Sequence, residues 1–276
     1  LHAKQPFSVV RIGDGEANLL TYDLYPNTPV LDRTSARAII AMQQDTFAAN
    51  EDWLVRLREQ LLESIHSADI IGVRGVDRWS QMIAANQMTK DQIVNGLHKN
   101  PRGFSGIFRS EYYMLSLAKQ SLLAGKTVTS AHLYFGLLKN IRRLLEAVDK
   151  VILITDRITL AALLAPAAPQ AKIITIPVGV AAEDGHQTKT QRIPPLQDPT
   201  FLETTRHLLD QLGPELKGAL CLIGAGPWAE LYCTHAKRLG AVAIDLGSGM
   251  DLLCGVTTRP VHRIVQQLIP NWTNLI

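Results

Sequence analysis

Short apolar runs closed by glycine or aspartate alternate along this chain with longer stretches of helical periodicity. Phe7, Val9, Val10 and Ile12 predict a short strand, and Gly13 and Gly15 predict a sharp backbone turn directly after it. Beyond the polar stretch Pro26-Asn27-Thr28-Pro29, residues 33–62 show helical spacing broken near 49–52. The second part has a cap region at Asn50 or Glu51 and an apolar stripe of Trp53, Leu54, Leu57 and Leu61. Residues 68–73 predict a strand ending in glycine, followed by a polar, aromatic loop over 74–79 of the kind that holds ligands past strand ends in open α/β folds. Helices are expected over 91–100, stopping at Pro101-Arg102-Gly103, and over 110–123, ended by Gly125. Then come a strand over 127–132, a helix over 135–148, and at 150–156 the plainest buried parallel strand of the chain. A short helix over 158–164, a strand over 171–177, a surface loop over 182–190 and a helix over 200–211 follow. The last unit is a strand over 218–223, a glycine-rich turn, a helix over 228–239 and a strand over 241–245, with a tail helix over 261–268. No internal repeat or linker interrupts the alternation. It predicts an α/β fold: a single doubly wound, mostly parallel Rossmann-like sheet with helices on both faces, one domain over 1–276.

Composition narrows the function classes. The chain has 276 residues, 46% of them hydrophobic, and Lys+Arg 28 against Asp+Glu 25 leaves a formal charge of +3. That balance excludes a disordered chain and a nucleic-acid binder that relies on a basic face. Cys221, Cys233 and Cys254 are too scattered for a disulfide scaffold or a zinc site, which favours a reducing, cytoplasmic setting. Leu1-His2-Ala3-Lys4-Gln5 does not open a signal peptide, and the longest apolar stretch, 160–168, is too short to span a bilayer. The expected location is therefore the cytoplasm, including the inner face of its membrane. The missing Met at position 1 suggests excision from a longer polypeptide with additional domains.

The candidate chemistry begins at Asp14-Gly15-Glu16. Two carboxylates two residues apart, just off a strand end, can point at one hard cation. In an α/β protein the pattern suits diphosphate handling, with Mg²⁺ or Mn²⁺ offsetting charge on a departing diphosphate. A strand-end turn with both side chains solvated is the other reading. Arg11 points the opposite way from Ile12 and can brace the carboxylates or touch phosphate. Residues 220–229 place a G-x-G-x-x-A pattern between strand and helix, with Asp245 ending the next strand. This is the form of a dinucleotide or adenosine site on Gly224, Gly226, Ala229 and Asp245. A packing turn without ligand explains the same glycines, and Pro227 removes one N–H that a phosphate would use.

Weaker candidates surround these. Asp156-Arg157 sits at a strand end, where ligands bind in open α/β sheets, or simply starts a helix. Arg109 near a helix beginning is either a phosphate ligand or a surface charge. His132 either bonds a sugar or phosphate or is structural. His186 and Lys189 lie in a loop that can close over a donor. Asp245 and Asp251 flank Gly247-Ser248-Gly249. As general base Asp245 ranks first because a strand end fixes it, Asp251 second on a less constrained loop, and His132 third. The structural alternative for Asp245 is a cap on the N–H groups of Gly247 and Ser248.

Taken together, residues 7–16 (Phe-Ser-Val-Val-Arg-Ile-Gly-Asp-Gly-Glu), 220–229 and 240–251 resemble the bacterial glycosyltransferases of the GT-D fold type. That family opens with an Arg-x-Gly-Asp-Gly-Glu strand and turn. It closes with an apolar strand, a Gly/Ala-Gly-Pro turn and a strand ending Asp-aliphatic-Gly. The middle agrees in outline: residues 107–112 fall where the family has a Thr-Arg-containing segment, and Asp156-Arg157 where many members carry Glu-Gly and then Arg. Asp245-Leu246-Gly247-Ser248 replaces the common Asp-Ile-Gly-His, so any role of that histidine is lost or moved. The resemblance implies a single α/β domain using a nucleotide-diphosphate sugar, UDP-linked, and a divalent cation, commonly manganese. It implies Asp14 and Glu16 as metal ligands and Arg11, Gly13, Gly15, Arg109, Asp156, Arg157, Gly224 and Gly226 around the donor. The acceptor would be a glycan, glycolipid or glycoprotein of the cell surface. Two rivals stand beside it: an NAD- or S-adenosylmethionine-dependent enzyme built on the glycine-rich turn, and a non-catalytic nucleotide-sugar or glycan-binding domain of a larger synthase.

Overall fold

A computed structural model describes residues 5–21, 51–75, 101–178 and 199–259, together with residues 84, 89, 91, 92, 95 and 262. The expectations for 22–50, 76–79 and the 182–190 loop with His186 and Lys189 lie outside the described residues, as do most of the 91–100 helix and all of the tail helix but residue 262. In chain order the described strands and α-helices begin with β1 (Phe7–Ile12), α1 (Asp14–Thr21), α2 (Glu51–Ser67), β2 (Ile70–Val73), α3 (Pro101–Lys119) and β3 (Thr127–Ser130). They continue with α4 (Tyr134–Lys139), α5 (Ile141–Glu146), β4 (Lys150–Thr155), α6 (Leu160–Leu164), β5 (Lys172–Pro177), α7 (Pro199–Leu212), β6 (Leu220–Gly224), α8 (Ala229–Arg238), β7 (Val242–Asp245) and α9 (Gly249–Leu253).

The chain forms two compact units, one of Leu1–Val10 with His132–Ile276 and one of Arg11–Ala131. In the first, the strand order is β1-β7-β6-β4-β5 and each pairing is parallel. Val151 lies beside Leu220, Thr155 beside Gly224, and Ile223 beside Asp245. Strand β4 carries Val151, Ile152, Leu153 and Ile154, and β6 carries Leu220 to Ile223; all are fully buried, as a strand covered on both faces must be. From β4 the chain crosses through α6 to β5 on one side; from β6 it crosses through α8 to β7 on the other. Right-handed crossovers then set α6 and α8 on opposite faces. The ends of β4 and β6 thus flank a topological switch point, the usual ligand position in such sheets. The α/β, mostly parallel architecture expected from the sequence is the one observed.

In the second unit β2 pairs parallel with β3, and β3-β2-β1 is the order at the end of β1. Leu57, Leu61 and Ile65 form the buried stripe of α2, and Ile107, Met114 and Leu117 that of α3.

Three boundaries differ from expectation. Pro101 begins α3 rather than stopping a helix, because proline at the first turn gives up an N–H that has no partner there. Helix α3 ends at Lys119, short of Gly125. Ser121 takes the left-handed conformation (φ 59), and the bonds Leu122 N–H to Leu117 O and Ser121 N–H to Ala118 O close a Schellman motif without glycine. The 135–148 helix is broken at Asn140 into α4 and α5.

Candidate functional site

In the second unit, β1 runs into α1 with only Gly13 between them, so Asp14 and Glu16 stand in the first turn of a helix rather than in a glycine turn. Neither Gly13 nor Gly15 has a positive φ, and the sharp turn expected at these glycines is the first turn of a helix instead. Residues two apart on a helix do not face each other. Glu16 instead folds back: its Oε2 accepts the N–H of Gly13 at 2.9 Å, the second half of a capping box. Both carboxylates therefore sit at the start of α1, where acidic groups are favoured by the helix dipole. The position a Cβ would take on Gly15 is open, with nothing within 4 Å, so a ligand can approach the backbone there.

Helix α3 holds this helix start in place. A Cβ on Gly106 would lie 2.4 Å from the carbonyl oxygen of Asp14 and 2.6 Å from its Cα. One turn on, the Ser110 hydroxyl donates to Ile12 O at 3.3 Å. Arg109 is buried rather than a surface charge, 1% exposed, and its Nη1 donates to Thr21 O at 2.5 Å and Thr21 Oγ1 at 2.9 Å. Thr21 is the last residue of α1, about 10 Å along the axis from Asp14. Arg109 thus satisfies a carbonyl at the helix C-terminus, where a cation is favoured. Arg11, next to the last residue of β1, is half-buried. Arg74 opens the loop expected to hold ligands past a strand end, though the sequence did not mark it as a site residue; its Nη1 donates to Asp14 Oδ1 at 3.2 Å while its backbone N–H bonds Ile12 O at 3.3 Å.

The first unit gathers a second group of candidates. Asp156 and Arg157 follow β4, and Asp251 lies in α9, not in an unconstrained loop. Arg157 donates to Asp251 Oδ1 through Nε at 2.9 Å and Nη2 at 2.8 Å, with Asp156 Oδ1 at 3.7 Å from Nε. The other oxygen of Asp251 accepts the Thr258 hydroxyl. Burial raises the Asp156 carboxyl above its ordinary range; Arg157 opposes this and the charge of Asp251 adds to it. Burial alone would lower the Arg157 guanidinium, but Asp251 and Asp156 outweigh it and raise it.

The same network reaches Ser248. Thr258 N–H donates to His262 Nδ1 at 3.3 Å, and His262 Nε2 lies 3.2 Å from Ser248 Oγ. An acceptor at Nδ1 fixes the neutral tautomer with its proton on Nε2, so His262 donates to Ser248. Burial holds this imidazole below the usual histidine range. A histidine thus does reach the Ser248 position, from 14 residues along the chain, a pairing with no local signal in the sequence.

The remaining candidates are placed as follows. Gly224 packs against Met250: a Cβ there would lie 2.5 Å from Met250 Cγ and 3.1 Å from Gly247 O. Gly226 has φ 55 and enters a 3₁₀ turn before α8. Asp245 ends β7 and is 1% exposed. The Gly247 N–H bonds Ile223 O at 3.2 Å, so a backbone partner is already present for one of the two groups Asp245 was expected to cap. His132 stacks on Phe135 with ring centroids 5.7 Å apart. Asp14, Glu16, Arg11, Arg109, Gly13 and Gly15 fall in one unit and the other candidates in the other. Among the described residues, no group of three or more His, Cys, Asp or Glu side chains converges as a metal cage. A pair of carboxylates nonetheless suits Mg²⁺ or Mn²⁺, which take one or two carboxylates and complete their shell with phosphate oxygens and water. No described helix is long and apolar enough to cross a membrane.

No curated protein matches the chain. A solved structure described as a highly conserved domain of unknown function 1792 with a distinct glycosyltransferase fold is similar to it at 18% identity and a TM-score of 0.46. It covers 91% of this chain and 77% of its own. Residues 1–128, which hold β1, α1 and Asp14-Gly15-Glu16, match the family described as the GT-D fold-like domain.

Proposed function

We propose that the chain transfers a sugar from a nucleotide-diphosphate donor, UDP-linked, to a hydroxyl of a glycan, glycolipid or glycoprotein. The observation that carries the reading is the match of residues 1–128 to the GT-D fold-like domain, over the stretch where Asp14 and Glu16 stand together at the start of α1. In this reading Asp14 and Glu16 hold the divalent cation, which when bound offsets the charge on the departing diphosphate. Glu16 also fixes the helix start through Gly13, and the open backbone at Gly15 admits a phosphate. Asp245, Asp251 and His132 are the candidates to take the proton of the acceptor hydroxyl. Asp251 is the least suited, since both of its oxygens accept hydrogen bonds already.

Isothermal titration of UDP with and without Mn²⁺, on the wild type and on Asp14→Ala, tests the reading. Metal-dependent UDP binding that Asp14→Ala abolishes is expected. Binding indifferent to both metal and substitution overturns the cation role. Asp245→Asn is the test for the base: a loss of about 10²-fold in turnover with UDP affinity and Tm intact identifies it, and a fall in Tm returns it to a structural role. The NAD or S-adenosylmethionine alternative needs close ligand approach at Gly224, where Met250 already lies. Stabilisation by adenosine cofactors in a thermal-shift panel would revive it. Nucleotide binding without transfer or donor hydrolysis, across a broad donor set, favours a binding domain of a larger synthase.

A further inference from the structure

We propose that Arg74 is a diphosphate-binding residue whose resting partner is Asp14; this rests on the nucleotide-sugar reading of the Asp14 site. The root of the side chain is fixed, since the Arg74 N–H bonds Ile12 O at 3.3 Å where β1 ends. Its head is not: a single contact of 3.2 Å joins Nη1 to Asp14 Oδ1, and the two side chains are 37% and 24% exposed. A guanidinium carries five N–H donors in a planar fork, and this contact uses one face of it. A pair so exposed exchanges readily for a better anion.

Charge gives the exchange its direction. The two carboxylates of the motif cancel a divalent cation, so a donor diphosphate, carrying two negative charges, meets no further compensation from the motif itself. Arg74 supplies a third positive charge at the same helix start. A phosphate offers its fork a bidentate, charge-assisted partner in place of one carboxylate oxygen. A cation drawing on Asp14 competes with Arg74 for the negative charge of the same carboxylate and is repelled by the guanidinium beside it. Arg74 therefore opposes metal binding in the absence of nucleotide and favours nucleotide once the metal is in place.

The two effects have opposite signs, and that separates this role from a structural one. Arg74→Gln should bind Mn²⁺ alone several-fold more tightly and bind UDP, at saturating Mn²⁺, about tenfold more weakly. Arg74→Lys keeps the charge and loses the fork, so it should fall between. UDP affinity within twofold of wild type in Arg74→Gln, or a loss of both affinities with a lowered Tm, overturns the proposal. Asp14→Asn separates this from failure of the site reading. If that variant leaves Mn²⁺ binding unchanged, the cation reading fails. Arg74 is then judged by UDP titration without metal, where Arg74→Gln must still weaken binding and an unchanged affinity rejects it.

Discussion

Two arginine–aspartate pairs, one in each unit, use the same chemistry to opposite ends. Arg157 and Asp251 are 8% and 16% exposed, joined by two contacts under 3 Å on one oxygen, with a hydroxyl on the other. Arg74 and Asp14 are more exposed and share one contact at 3.2 Å. A buried pair with its lone pairs filled has no alternative partner, and breaking it strands a charge in a poorly solvated place. An exposed pair contributes little to stability and releases either partner to a ligand. Burial, not residue type, separates a pair that holds the fold from one exposed enough to exchange partners.

The largest expected effect follows from removing one partner of the buried pair. Asp251→Ala should destabilise the protein by about 3–5 kcal/mol, since Arg157 loses its main counter-charge. Asp14→Ala should cost no more than about 1 kcal/mol while removing metal-dependent UDP binding. Urea unfolding of both variants checks the contrast. Comparable losses from the two would mean that the distinction between the pairs does not hold.

Gly106→Ala comes next. In an exposed helix interior, alanine for glycine stabilises by about 1 kcal/mol. Here the new methyl would lie 2.4 Å from the Asp14 carbonyl oxygen, a backbone atom that no side-chain rotation can move, so α1 must shift. A net destabilisation of about 1–3 kcal/mol is expected, with weakened Mn²⁺ binding. A stabilised variant with unchanged Mn²⁺ binding would show that α3 does not set the position of Asp14.

The sequence made the fold legible where the signal was local and strong. Strands β4, β6 and β7 are apolar runs closed by glycine or aspartate, and their parallel order followed from the alternation with helices. Helix boundaries were legible only where residue preference and geometry agree. Pro101 reads as a stop but serves as a start, and Ser121 takes a conformation that glycine usually marks. At the candidate site, Asp14 and Glu16 were visible as a motif, but their positions on a helix start were not, because Glu16 reaches Gly13 through a capping bond. Arg109 read as either a phosphate ligand or a surface charge, because nothing local reports that Thr21, 88 residues away, accepts its hydrogen bonds. Arg74 was not singled out for the same reason, since its partner Asp14 lies 60 residues away; Thr258 and His262 have nearer partners but carry no motif that marks them. Gly106 fell between the two expected helices, so its place inside α3 and its close approach to Asp14 were not legible.

Glu16 separates capping from ligation with a smaller effect. Glu16→Gln keeps an oxygen for the Gly13 N–H and loses the charge, whereas Glu16→Ala loses both. Alanine should cost about 0.5–1.5 kcal/mol and glutamine a few tenths. Both should weaken Mn²⁺ binding if the carboxylate is a ligand. A glutamine variant with wild-type Mn²⁺ affinity would leave Glu16 as a cap alone and Asp14 as the sole carboxylate on the cation.

The smallest effect belongs to His262, and it tests whether the buried network is tied to a neutral imidazole. Its folded pKa lies below the ordinary 6.5, chiefly through burial, with Asp251 opposing and Arg259 adding. Between the folded value and 6.5 the unfolded chain binds more protons, so stability should rise with pH across that window and level off above it. Protonation would also place a hydrogen on Nδ1, where the Thr258 N–H now donates. Asp156 contributes with the opposite sign: its raised pKa favours the folded state fully below 3.8, and that contribution is lost as pH rises through the folded value. Comparing wild type with His262→Gln isolates the histidine, because Asp156 is common to both. Melting temperatures from pH 5 to 8 should differ between the two by an amount that shrinks as the pH falls below 6.5 and is constant above it. A difference independent of pH would show that the network does not depend on the charge state of His262, and that burial alone makes the Arg157–Asp251 pair permanent.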